Sequence, residues 1–135
     1  MRFLLALFLA STLQAQGLPA SVEARVVATL VKNSSEPGRI AVSDKQMAAE
    51  FEKVGLKVDP GAKIAWAGDR EEVAQLAKEG KLVVCRAQAL LAEGAAVAIF
   101  REKSQPAVYL HVKHVSAAKV RLSPSLYQAL GAELP

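Results

Sequence analysis

The chain has 135 residues, with 17 Lys+Arg against 13 Asp+Glu, a formal net charge of +4, 52% hydrophobic residues and 5% aromatics. Charges of opposite sign are interspersed, as at Lys45, Glu50, Glu52 and Lys53, which describes a solvated surface rather than the one-sided basic footprint of a nucleic-acid binder, and so few aromatics exclude a stacking platform for single strands. Cys85 is the single cysteine, so no internal disulfide can form and stability has to come from packing.

The N-terminus reads as an export signal. Met1-Arg2 is a short positive start, Phe3 to Ala10 is an uninterrupted apolar run, and Ser11 to Gly17 turns small and polar. The run is far short of the roughly 20 apolar residues that span a bilayer. A cut after Gly17 places Ala15 three positions before it, so residues 1–17 are expected to be removed and residues 18–135 to form a single domain in the periplasm, with no membrane span of its own.

Val22, Val26, Val27, Leu30 and Val31 recur at helical spacing and predict a first helix that ends in the turn formers Asn33 to Gly38. Arg39 to Val42 is a short apolar strand. Ser43 precedes Gln46 by three, the capping-box arrangement, and Met47, Phe51 and Val54 form the stripe of a second helix stopped by Gly55. The same unit recurs in kind. Lys63 to Ala67 is strand-like, Asp69 precedes Glu72 by three, and Val73, Leu76 and Ala77 line a third helix that ends at Gly80. Lys81 to Cys85 is the next strand and Ala87 to Ala92 a short helix closed by Glu93-Gly94. Strand–helix alternation predicts a parallel sheet covered by helices.

After Gly94 the pattern changes. Ala95 to Arg101 and Ala107 to Val112 are strands joined by the loop Glu102 to Pro106, an antiparallel hairpin. A short helix around Ser116 to Lys119 follows, and Ser123 then caps a last helix with Pro124 at its first position. The predicted fold is an α/β three-layer sandwich, Rossmann-like, with a mixed and mostly parallel sheet that ends in a β-hairpin and short helices.

The segment from Gly94 to Leu130 carries a resemblance. Gly94-Ala95-Ala96-Val97-Ala98-Ile99-Phe100, then Val108-Tyr109-Leu110-His111-Val112, then Ala117 to Leu126 resemble the ending of the YfiR-like family: an apolar strand after glycine, a charged hairpin, and a strand leading into two short helices. Ile64 to Asp69 and Lys81 to Ala87 are similar to earlier strands of that family. The resemblance implies a non-enzymatic periplasmic protein that holds an inner-membrane signalling protein, such as a diguanylate cyclase, in check by contact. The paired cysteines of the family's best-known members have no counterpart here.

Motif-level chemistry is sparse. The chain has no Gly-x-Ser-x-Gly elbow, no Gly-x-Gly-x-x-Gly loop and no Walker loop, so neither nucleophilic catalysis nor nucleotide binding has its usual cradle. No cofactor is expected. His111 and His114 stand three apart, but no Cys, Asp or Glu follows nearby to complete a metal shell, and two surface histidines is the expected reading. Asp44 and Asp69 each follow a predicted parallel strand, where open α/β sheets place a ligand crevice, and each equally suits a helix cap. Ser43, Asp44, Trp66 and Asp69 are therefore the candidate ligand- or partner-binding residues, with Trp66 either a pocket wall or a core residue. Cys85, inside an apolar strand, is expected to be an inert buried thiol. The alternative function is a small-molecule binder, a lobe of periplasmic solute-binding type with its crevice near Ser43, Asp44, Gly68 and Asp69. A contiguous exposed apolar patch would favour the partner binder, and a concave pocket the solute binder.

Overall fold

The computed structural model describes residues 17–126. The expected export signal, apart from Gly17, and the chain after Leu126 lie outside the described residues. In chain order the elements are α1 (Ala20–Lys32), β1 (Arg39–Ile40), α2 (Lys45–Lys53), β2 (Lys57–Val58), β3 (Ile64–Trp66), α3 (Arg70–Lys78), β4 (Leu82–Cys85), a 3-10 helix (Gln88–Glu93), β5 (Val97–Glu102), β6 (Gln105–Leu110) and α4 (Val112–Ala117).

Strands β3, β4 and β5 pair in parallel and β6 closes the sheet antiparallel to β5, while β1 pairs with β2 in parallel. A parallel bridge between Ala41 and Ala65 joins the two groups. There Ala41 N–H donates to the Ile64 carbonyl and Trp66 N–H to the Ala41 carbonyl, both at 2.9 Å. The order across the molecule is thus β2-β1-β3-β4-β5-β6, one of the two common doubly wound arrangements, with its switch point between β1 and β3.

Alternation along the strands sorts the core into two layers. Ile64, Trp66, Leu82, Val84, Val97 and Ile99 face Leu30, Val31, Met47 and Phe51 of α1 and α2. Val83, Cys85 and Ala98 face Val73 of α3 and Leu91 of the 3-10 helix. The sandwich is the fold expected from the alternation of elements.

Several local expectations change. Asp44, not Ser43, caps α2, accepting from Met47 N–H at 2.9 Å. The edge strand β2 was not expected, since two residues carry no period. Between β2 and β3 no helix intervenes. The chain crosses β1 in a tight loop, and Lys81 Nζ holds it by donating to the carbonyls of Pro60 at 3.0 Å and Ala62 at 2.6 Å. The small side chains Ala41, Ala62 and Ala65 permit this close passage.

The hairpin is also tighter than the expected five-residue loop. Its turn is Lys103-Ser104 alone, both at positive φ (51° and 66°), and Pro106 lies inside β6 opposite Arg101. Proline is tolerated because β6 is an edge strand. Helix α4 begins earlier than Ser116 because His111 caps it, its Nδ1 accepting from His114 N–H at 3.3 Å. Ser123 and Pro124 do open a last helical turn, with Leu126 N–H donating to the Ser123 carbonyl at 2.9 Å.

Gly94 ends the 3-10 helix at φ 121°, and a Cβ there would sit 2.8 Å from the Ala77 Cβ of α3. Gly94→Ala therefore combines a strained backbone with overpacking, and is expected to cost about 1–3 kcal/mol in denaturant unfolding. Gly38→Ala, at φ +89° with nothing within 4 Å of the added methyl, is expected to cost only the conformational part, about 1 kcal/mol. Equal costs would contradict the close packing of Gly94 on α3.

Candidate functional site

The residues selected from sequence lie at the carboxyl ends of β1 and β3, but they do not form one open acidic pocket. Asp44 is spent on capping α2, and Asp69 caps α3 by accepting from Glu72 N–H at 2.8 Å. The two helices leave toward opposite faces of the sheet. Between them the Glu72 side chain reaches back across the switch point. Its carboxylate accepts from the Ser43 hydroxyl and from Gly68 N–H, the latter at 2.9 Å. In place of a capping box closed on Asp69, Glu72 laces the β1 and β3 loops together. Beside this lace runs a cleft of about 230 Å³, bounded by Ala41, Ser43, Pro60, Glu72, Leu76 and Lys81.

Trp66 is a core residue, only 1% exposed, and it also borders this cleft. Phe51 meets it edge-on at 6.4 Å between ring centroids, and its six-membered ring runs up beneath Gly68, where a Cβ would lie 3.4 Å away. Its N–H finds a charged partner: Nε1 donates to the Glu23 carboxylate at 2.8 Å. Glu23, from the first turn of α1, is 1% exposed. Arg86, one residue past β4, completes the group. Its Nε donates to both Glu23 oxygens at 2.9 and 3.2 Å, and its guanidinium carbon lies 4.7 Å over the Trp66 ring.

The sequence reading missed Glu23 and Arg86. The signals available were a carboxylate in register with the stripe Val27, Leu30 and Val31, and a lone tryptophan whose buried N–H requires an acceptor. Among the described residues no buried side-chain nitrogen or oxygen lacks a partner, so this polar group is satisfied internally.

Arg86 also forms one wall of a second crevice, about 510 Å³, at the carboxyl edge of the sheet. Strand β5 outruns β4, whose last paired residue is Cys85 opposite Ala98. The overhang, with Phe100, Arg101 and Lys103, faces Ala87 and Gln88 across the gap. Phe100 stands edge-on to Tyr109 at 5.1 Å, and Glu102 accepts from the Tyr109 hydroxyl at 2.6 Å.

Cys85 is fully buried, and burial pushes its thiol up to about 11. A neutral thiol of that kind is a poor nucleophile at physiological pH.

The two histidines come closer than their spacing suggested. Their rings stack with centroids 3.8 Å apart and planes at 13°. His111 Nδ1 accepts a backbone N–H, which leaves its proton on Nε2, while His114 Nδ1 donates to the Ala95 carbonyl at 2.9 Å. Imidazole lone pairs lie in the ring plane, so stacked rings cannot aim at one ion in the manner of a ligand pair. Among the described residues no group of three or more His, Cys, Asp or Glu side chains converges on a possible metal position.

Two outcomes are expected from this geometry. Glu23→Ala should leave the Trp66 N–H without its acceptor and release Arg86, at a cost of about 1–3 kcal/mol in chemical unfolding, with a changed emission from the only tryptophan of the chain. Glu23→Gln keeps an acceptor and should cost less; equal stability of all three proteins would contradict the network. The second concerns acid. Desolvation, and then the charge of His114, hold the His111 imidazole below its ordinary value of 6.5. A depressed histidine binds fewer protons folded than unfolded, so its contribution to stability is complete above that value and is lost as pH falls through the folded one. Protonation also removes the acceptor that caps α4. His111→Asn, which retains a capping acceptor, should flatten this acid-side loss in pH-dependent unfolding, and an unchanged slope would contradict the assignment.

No family model matches the sequence, and no curated protein matches it. Solved structures do match in shape. One is the ABC domain from Streptococcus pneumonia in complex with L-Trp, at TM-score 0.58 and 13% identity, covering 87% of this chain and 60% of that one. Another is a conserved domain protein from Vibrio cholerae O1 biovar eltor str. n16961, at TM-score 0.62 and 7% identity, again covering 87% of this chain and 60% of that one. This chain therefore spans 60% of the length of either neighbour. At these identities the likeness is one of fold, an α/β domain with a mostly parallel sheet.

Proposed function

We propose that this protein is a non-enzymatic binding domain that takes a small solute at the carboxyl edge of its parallel strands. The carrying observation is the form of that edge. It is concave, whereas the outer surface offers almost no apolar face: among the described residues Val112 is the one large hydrophobic side chain left exposed, at 50%. Ligands of open α/β sheets bind beyond the carboxyl ends of the strands near the switch point, and the polar groups there are held by one another in advance of any ligand. The fold neighbour crystallised with L-Trp supports the same reading by analogy of architecture. The export-like N-terminus supports a periplasmic setting.

The resemblance of residues 94–130 to YfiR-like proteins supports a second reading, in which the domain restrains an inner-membrane signalling protein by contact and a bound solute shifts that equilibrium. Val112, the exposed apolar residue, lies within this segment.

Native protein purified from its host, then denatured and examined by mass spectrometry for released small molecules, tests the first reading. A stoichiometric solute is expected, and adding it back at about 100 times its Kd should stabilise the protein by about 2.7 kcal/mol. Catalytic consumption of that solute would contradict a binding role. A membrane pull-down that retains an inner-membrane sensor is the result expected of the second reading.

A further inference from the structure

Resting on the binding reading above, we propose that the crevice between Ala87-Gln88 and the overhang of β5 is a receptor for a small organic anion, a carboxylate or phosphate attached to an apolar or aromatic body, with Arg86 as its central contact.

A carboxylate as buried as Glu23 is costly, and a buried ion pair is weak evidence for stability because apolar residues of similar volume do as well. Its partner is not buried with it: the Arg86 side chain is 47% exposed. The pair is therefore asymmetric, a hidden anion gripping an accessible cation. Glu23 engages only Nε, and the flat face of the guanidinium is fixed against Trp66. Among the described residues the two terminal nitrogens of Arg86 donate no hydrogen bond, and together they are the fork that matches a carboxylate or phosphate. An arginine whose orientation is set before the ligand arrives loses little freedom on binding.

The rest of the crevice has matching chemistry. Arg101 and Lys103 line it as well, and neither makes a salt bridge among the described residues. The one carboxylate in the lining, Glu102, is engaged by the Tyr109 hydroxyl. Arg86 is paired with Glu23, but Arg101 and Lys103 add two cations against the one carboxylate of the lining, and this excess of positive charge favours an anion between them. The tight turn at Lys103-Ser104, both left-handed, keeps the hairpin short and Lys103 in the lining instead of on a longer, looser loop. Phe100 adds an apolar wall, braced edge-on by Tyr109, which suits a ligand with an apolar or aromatic body. The volume, about 510 Å³, falls in the range of small-molecule sites.

The test uses the full chain and three probes: phenyl phosphate, 3-phenylpropionate and the neutral benzyl alcohol. Binding is followed by calorimetry and by the emission of Trp66, against which Arg86 lies. Saturable binding of at least one of the two anions is expected, weaker at higher salt, and benzyl alcohol should not bind comparably. Arg101→Gln should weaken anion binding about tenfold, and Arg86→Gln should abolish both the binding and the emission change. Arg101 takes no part in the buried network, so its variant keeps the test meaningful even if Arg86→Gln unfolds. Anion affinity unchanged in Arg101→Gln, or benzyl alcohol binding as tightly as the anions, would overturn the anion receptor while leaving a binding domain in place. No binding of either anion at millimolar concentration would also overturn it, whereas the broader binding reading stands or falls on the solute released from native protein.

Discussion

One buried carboxylate organises the carboxyl edge of this domain. Glu23 enters the core from the first turn of α1, where the helix dipole favours a negative charge, and three elements meet on it: α1 itself, the end of β3 through the Trp66 indole, and the residue after β4 through Arg86. An isolated charge in that position would be prohibitive. Each oxygen instead accepts from a positioned donor, and the aromatic face of Trp66 shields the guanidinium from one side. The arrangement selects one placement of α1 over the sheet, since any slip along the helix would separate the carboxylate from both partners. In a core otherwise built from interchangeable aliphatic contacts, this polar group makes that placement unique.

The second constraint is the lace formed by Glu72. At the switch point of a doubly wound sheet the loops diverge to opposite faces and leave a crevice. Here the crevice is bridged by the protein's own carboxylate, bonded to Ser43 and Gly68. Open space is displaced to either side: a narrow cleft along α3, where the missing β2–β3 helix would have packed, and a wider one beneath the β5 overhang. The wider space lies beside Arg86, so the buried network and the accessible crevice share one residue.

Much of the architecture was legible in sequence because periodicity reports burial directly. Val27, Leu30 and Val31, or Met47 and Phe51, sit in the core for the reason their spacing suggests. The failures have physical causes of the same kind. Lys57-Val58 is too short for any period. Pro106 reads as a stop, yet an edge strand loses nothing by it. His111 acts as a cap although imidazole is not among the usual capping side chains. Asp44 and Asp69, by contrast, cap the helices that follow them, as their place just before a helical stripe led one to expect. The polar network was hidden for a different reason. Glu23 lies 43 residues from Trp66 and 63 from Arg86, and no spacing rule spans such separations. Only the fold brings them together, and only a charged residue set within an apolar stripe hinted at it.

The coupling between Glu23 and Arg86 is the most direct measure of this arrangement. A double-mutant cycle with Glu23→Gln and Arg86→Gln, read by denaturant unfolding, isolates their interaction from the cost of either change alone. If the buried carboxylate truly grips the arginine, the cycle should return a coupling of about 1 kcal/mol or more. Additivity within about 0.3–0.5 kcal/mol, the behaviour of sites that do not touch, would mean that Arg86 is an ordinary surface side chain and would contradict the account at its root.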